Sequence, residues 1–173
     1  MNLTFRHATH ADIPMLIELV TSAYRGDASR AGWTTEADLL DGARIDAERL
    51  AADIERAQSV ILLGEADGAT LACAHVAVED GAGYFGMFSV SPGLQGQGIG
   101  KRMLDEAERI ARDELAQDAM RMTVIDVRDE LIGYYARRGY RRTGIHKPFP
   151  YGDERFGTPK RDDLRFEIME KAL

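Results

Sequence analysis

The run Gln95-Gly96-Gln97-Gly98-Ile99-Gly100 places a glycine at every second position between a strand-like stretch and an amphipathic one. Glycine has no Cβ, so a backbone of this kind can come close to a bulky anion. Met103, Leu104, Ala107, Ile110 and Ala111 follow at helical spacing and predict a helix from Ile99 to about Ala116. The start of such a helix offers unpaired N–H groups and the positive end of its dipole, which suits a phosphate or pyrophosphate.

Two familiar phosphate turns do not fit. The P-loop needs glycine where Gln95 stands and Ser or Thr where Arg102 stands. The dinucleotide fingerprint would put its third glycine at Lys101; Gly81-Ala82-Gly83-Tyr84-Phe85-Gly86 matches it by letter but leads into a strand, not a helix. Cys73 lies in an apolar run and reads as a buried thiol, without Cys–His pairing for a covalent route. No Cys/His spacing suggests a zinc site, and no metal is expected.

The elements that must position the turn alternate in type. Leu3–Arg6 reads as a strand, and Thr9-x-x-Asp12 opens a helix that tolerates Pro14 in its first turn. Arg25–Gly32 reads as a polar loop, and a second helical stretch begins at Thr34/Thr35, with a break at Gly42 before Asp46–Arg56. Ser59–Glu65 and Ala69–Glu79 are strands joined by the hairpin signal Ala66-Asp67-Gly68, and Tyr84–Val90 is the next strand. Beyond the glycine turn come a strand at Met120–Val127, a short helix at Glu130–Arg138, a strand at Tyr140–Ile145 and a last strand at Leu164–Glu170. This β-α-α-β-β-β-α-β-α-β-β order predicts one α/β domain, residues 1–173, built on a mixed, mostly antiparallel sheet flanked by helices.

Composition agrees with that class. The chain has 173 residues, 45% hydrophobic and 29% charged, enough for a core without staples. Its net charge of −7 argues against nucleic-acid or anionic-membrane partners and mildly favours a cationic or amine ligand. A single cysteine, no apolar run near the ~20 residues of a membrane span, and an N-terminus without signal character fit a cytoplasmic protein.

The pattern [QR]-x-x-G-x-[GA], here Gln95, Gly98 and Gly100 after a strand ending in Val90, resembles the coenzyme A turn of the GNAT (Gcn5-related N-acetyltransferase) superfamily, and the element order is similar over nearly the whole chain. A second segment of that superfamily, Tyr-x-x-x-Gly-Phe/Tyr, is matched by Tyr135-Ala136-Arg137-Arg138-Gly139-Tyr140. The resemblance implies an acetyl-CoA-dependent N-acetyltransferase in which an amine attacks the thioester directly. It implies donor contacts from Phe88, Ser89 and Val90 and from Gln95, Gly96, Gln97, Gly98, Ile99, Gly100 and Lys101, with Tyr135 protonating the departing thiolate. A backbone N–H beside the thioester carbonyl would supply about 3 kcal/mol. Relatives often carry Asn seven residues before this tyrosine; here Arg128 stands there, so the Asn contacts do not transfer. The cluster Arg137, Arg138, Arg141 and Arg142 has two readings, a contact to the 3′-phosphate of coenzyme A and, preferred, a solvated basic face.

Many relatives also place a glutamate on the fourth strand as general base, but Tyr84–Ser89 holds no acid. Asp126, Glu79, Glu36 and His75 are the candidates that remain. Acceptor binding is expected from Tyr24–Asp46, through Arg25, Arg30, Trp33 and Glu36, and from the long connection 143–163, through Phe149 and Tyr151. The expected acceptor is a small or amino-acid-like amine. A peptide or protein N-acetyltransferase and a non-catalytic acyl-CoA sensor stay open, and a homodimer through a sheet edge is compatible with the resemblance.

Overall fold

In the computed structural model, residues 1–24, 40–41, 45–94, 96–151 and 158–173 are described. Gln95, Arg25, Arg30, Trp33 and Glu36 lie outside them. The chain runs β1 (Thr4–His7), α1 (Ile13–Tyr24), β2 (Leu40–Asp41), α2 (Ala47–Glu55), β3 (Ser59–Ala66), β4 (Ala69–Glu79), β5 (Ala82–Val90) and α3 (Ile99–Arg109). It continues through β6 (Ala119–Ile125), α4 (Asp129–Ala136), β7 (Arg141–Pro148), β8 (Thr158–Pro159) and β9 (Arg165–Ala172). With the two-residue strands β2 and β8 set aside, this is the order expected from sequence; Leu40–Asp41, expected within a helical stretch, is a strand because it pairs with β8. Those two pair only with each other, Leu40 opposite Pro159 and Asp41 opposite Thr158, so they join the α1–α2 and β7–β9 connections.

Among the described residues one seven-stranded sheet has the order β1-β3-β4-β5-β6-β9-β7. Every neighbouring pair is antiparallel except β5 with β6. The tight hairpins β3–β4 and β4–β5 turn at Asp67-Gly68 and Asp80-Gly81, all four at positive φ, as two-residue turns between twisted strands require.

Each sheet face carries its own core. Leu62, Ala72, Ala74, Val76, Phe85, Phe88 and Val90 pack with Met103, Leu104 and Ala107 of α3, with Ile110 just beyond it, and with Leu131, Ile132 and Tyr135 of α4. On the opposite face Ile61, Leu63, Cys73 and Met87 pack with Leu16, Leu19, Val20 and Ala23 of α1 and Leu50 of α2. Cys73 is buried there, as expected. Several boundaries differ from the expectation: β5 starts at Ala82, and β7 runs on to Pro148, so residues 143–148 of the expected long connection are strand. The helix after the glycine turn is α-helical only to Arg109, then widens into a π turn over Ile110–Glu114, where Leu115 N–H donates to the Ile110 carbonyl. Ala116, at φ 56°, ends it. Among the described residues no helix is long and apolar enough to cross a membrane.

Candidate active site

β5 and β6 are in register at only two positions, Gly83 with Met120 and Tyr84 with Arg121. Beyond them, among the described residues, β5 continues to Val90 paired with β4, and β6 continues to Ile125 paired with β9. The sheet therefore opens into a split with backbone on both walls. A bulge deepens the break on the β5 wall. Between the pairs Cys73–Ser89 and His75–Gly86 the register shifts, and Met87 takes φ 53°. A non-glycine residue in that region is strained and marks a position over-determined by its surroundings. The surroundings here are the Cys73 thiol and the Ser89 hydroxyl, both donating to the Met87 carbonyl, at 3.8 and 3.2 Å. The Ser89 side chain is thus turned into the bulge. Phe88 and Val90 are buried in the α3/α4 core, which leaves backbone as what they offer to the split.

At the top of β5 the chain enters the glycine turn. Gly93, Gly96 and Gly98 have φ of 88°, 86° and 80°, and no atom lies within 4 Å of where a Cβ would stand on any of them. Gly98 is the N-cap of α3; no side chain caps it and no acid occupies the first turn. Ile99 is buried, and Lys101 turns outward to Asp105 at 2.7 Å, so both present backbone N–H to the turn. Gln97 is exposed. Gly100 is required for another reason: a Cβ there would lie 2.7 Å from the Tyr134 hydroxyl and 3.0 Å from the Phe88 ring. That approach brings α4 against the turn. Between them lies a groove of about 450 Å³ lined by Gly96, Asp129, Glu130, Gly133, Tyr134 and Arg137.

Tyr135 is buried at the base of this arrangement, edge-on to Phe85, Tyr134 and Tyr140 at centroid distances of 6.4, 5.5 and 5.9 Å. It packs on the α3/α4 face of the sheet, against Phe85 of β5. Its neighbours differ in role. Burial raises the Tyr134 phenol above its ordinary pKa, against the opposing pull of the Arg138 guanidinium, which stacks 3.5 Å over the ring. The Tyr140 phenol, raised by burial and by Glu108, donates to Glu108 Oε2 at 3.0 Å. Arg128 is the N-cap residue of α4. Of the basic cluster, Arg141 and Arg142 pair with Glu170 and Glu167, Arg138 covers Tyr134, and Arg137 alone of the four lines the groove.

The remaining sequence candidates are held elsewhere. Glu79 pairs with Arg56 at 3.2 Å, and Asp126, just beyond the end of β6, binds Arg165 Nε at 2.5 Å. His75 is buried on the α1/α2 face, with Nε2 2.7 Å from Ser59 Oγ and Nδ1 3.8 Å from Asp53. Burial holds its pKa below the ordinary value. Both ring nitrogens face the α2 side, so this is a satisfied core histidine. Asp46, within the segment expected to bind acceptor, caps α2 by accepting from Arg49 N–H at 2.8 Å. Phe149 is buried with Ile125 and Leu164. The Tyr151 ring is exposed, but its hydroxyl accepts from Leu164 N–H and donates to the Arg161 carbonyl, which ties the two ends of the long connection. Sequence reasoning passed over Tyr84, whose only sequence signal is that it is the one ionisable residue of β5. Among the described residues no group of three or more His, Cys, Asp or Glu is placed to hold a metal.

Solved structures share this architecture. YncA of Salmonella typhimurium, described as an acetyltransferase and solved with its cofactor acetyl-CoA, is 21% identical, with a TM-score of 0.71 over 100% of this chain and 95% of that one. The ribosomal-protein-alanine N-acetyltransferase of Brucella melitensis is 20% identical, with a TM-score of 0.70 over 98% and 99%. The PaiA N-acetyltransferase of Thermoplasma acidophilum, in complex with coenzyme A, is 19% identical, with a TM-score of 0.67 over 100% of both chains. At these identities the likeness is one of fold. A comparison with curated proteins finds no match. The model of the acetyltransferase (GNAT) family matches residues 15–144, three quarters of the chain and every element from α1 to the start of β7. The protein is a member of the GNAT acetyltransferase family.

Proposed function

We propose that the protein transfers an acetyl group from acetyl-CoA to the amine of a small or amino-acid-like acceptor. The observation that carries this reading is the split between β5 and β6, with the open glycine turn at its head and Tyr135 on its flank. The residues present fit the donor. Positive-φ glycines and the α3 N-terminus suit its pyrophosphate, Arg137 supplies a cation in the adjoining groove, and the β5 backbone beyond its pairing with β6 suits its pantetheine amides. Bound there, acetyl-CoA supplies an activated acyl carbon on a sulfur leaving group.

The chain then has three tasks. Backbone N–H groups of Phe88–Val90 orient the thioester and stabilise charge developing on its carbonyl oxygen. The buried aromatic set around Tyr135 excludes water and holds its hydroxyl for proton donation to the departing thiolate. The β2–β8 bridge joins the two connections from which acceptor contacts are expected. A backbone tie between those two connections supports a small acceptor over an extended peptide, which needs a groove open at both ends.

Thiol release from acetyl-CoA, measured over amino acids, polyamines, aminoglycosides and short peptides, tests the reading. Turnover with one small amine is expected, with kcat at least about ten-fold lower in Tyr135→Phe. Turnover restricted to peptides would overturn the acceptor assignment, and absence of acetyl-CoA binding by calorimetry would overturn the whole.

A further inference from the structure

β5 carries no carboxylate, and of the candidates within the described residues Glu79, Asp126 and His75 are engaged with other partners. One polar side chain of β5 does reach the split. The Tyr84 ring lies along its own strand, over Gly86: a Cβ on Gly86 would stand 2.2 Å from the Tyr84 hydroxyl and 2.6 Å from Cζ. Gly86 does not have a positive φ, so the phenol is what excludes a side chain there. The hydroxyl is thereby held one residue from the Met87 bulge, where β5 has already left β6. Tyr84 packs edge-on against His75, 5.7 Å between centroids, on the face covered by α1 and α2. His75 is itself fixed by Ser59 and faces Asp53. Tyr84 is half-buried.

Tyr84 and Tyr135 therefore flank the split from opposite faces of the sheet. Tyr135 comes with Phe85 from the α3/α4 side, and Tyr84 comes with His75 from the α1/α2 side. On the acetyl-transfer reading above, on which this inference rests, the two faces have distinct chemistry, because sulfur leaves on one side of the acyl carbon and nitrogen arrives on the other. The geometry points to Tyr84 as a catalytic residue of the acceptor side, whose hydroxyl binds the incoming amine and carries its proton away. As the nitrogen–carbon bond forms and the carbon–sulfur bond breaks, the nitrogen's surplus proton passes to the Tyr84 oxygen while that oxygen releases its own proton to water. Tyr135 gives its proton to the thiolate and regains one from solvent. The sum is amide plus free thiol.

Tyr84→Phe removes one oxygen atom and leaves the ring packing in place. With the amine found in the acceptor panel, it is expected to lower kcat at least about ten-fold, a common worth for proton transfer by a positioned side chain. Its acetyl-CoA affinity by calorimetry should stay within about two-fold of wild type. Gly86→Ala, whose methyl group takes the place of the hydroxyl, is expected to lower kcat similarly, and the double variant should lose no more than either single one. A Tyr84→Phe enzyme that keeps half or more of the wild-type kcat overturns this inference and leaves acetyl transfer standing. Wild-type protein that does not bind acetyl-CoA overturns acetyl transfer first, and this inference with it.

Discussion

Three tyrosines within seven residues show how much the immediate surroundings decide. Tyr134, Tyr135 and Tyr140 share one aromatic cluster, and the Tyr140 hydroxyl donates to a carboxylate, Glu108 Oε2 at 3.0 Å, that is also held by Lys171 Nζ at 2.8 Å. Tyr140→Phe removes one buried hydrogen bond and leaves Glu108 its lysine. It should cost about 1 kcal/mol of unfolding free energy in urea with no change in acetyl transfer. Tyr135→Phe should do the reverse, and equal effects from both variants on turnover would contradict the division of roles. The Tyr-x-x-x-Gly-Tyr spacing made Tyr135 legible in the sequence. The role of Tyr84 was not legible, because it depends on a side chain lying two residues along its own strand and on acids being engaged across the sheet. Neither leaves a trace in spacing.

Among the elements, local chemistry was legible and long-range irregularity was not. The Thr9-x-x-Asp12 signal is realised as Thr9 N–H donating to Asp12 Oδ2 at 2.8 Å, ahead of α1. The structure adds Arg6 of β1, whose two terminal nitrogens reach the same carboxylate at 2.9 and 2.8 Å. Hydrogen bonding from Arg6, above all, lowers the Asp12 pKa from 3.8 to about 2. A carboxylate depressed in the folded state adds stability that is present above its ordinary pKa and is lost as pH falls toward 2. Arg6 is 42% exposed, so solvent screening limits the contribution to about 1 kcal/mol. Asp12→Asn should therefore be less stable than wild type at pH 7, with the gap closing as pH falls from 5 to 3. A gap of constant size over that range, measured by urea unfolding, would remove the ion pair from the account. The hairpins were legible for the same local reason, through Asp67-Gly68 and Asp80-Gly81. The β5 bulge and the β2–β8 bridge were not, because each is imposed by strands far away in sequence.

At the scale of the molecule the protein is two sheet halves, β1-β3-β4-β5 and β6-β9-β7, hinged at a junction two residue pairs long. Gly83 sits at that junction, opposite Met120. A Cβ on Gly83 would stand 3.0 Å from the Ala119 carbonyl oxygen, 3.2 Å from the Ala111 methyl and 3.2 Å from Met120 Sδ. The first of these is backbone and the second is held in the core below α3, so neither yields as the end of a flexible chain would. An added methyl group must push β6 and the π turn away from β5, at a cost of about 1–3 kcal/mol. If the split takes its width from this junction, Gly83→Ala should also weaken acetyl-CoA binding several-fold, although no donor contact is expected within this stretch. Gly68→Ala is the matched control. Its φ of 77° makes a side chain unfavourable by a similar order of free energy, but nothing lies within 4 Å and the turn is at the far end of the β3–β4 hairpin. Both variants should unfold earlier in urea, and only Gly83→Ala should raise the acetyl-CoA dissociation constant by calorimetry. Equal dissociation constants in the two would mean that the walls of the split are held by their own packing, Phe88 and Val90 on one side and β9 on the other, and not by the junction below them.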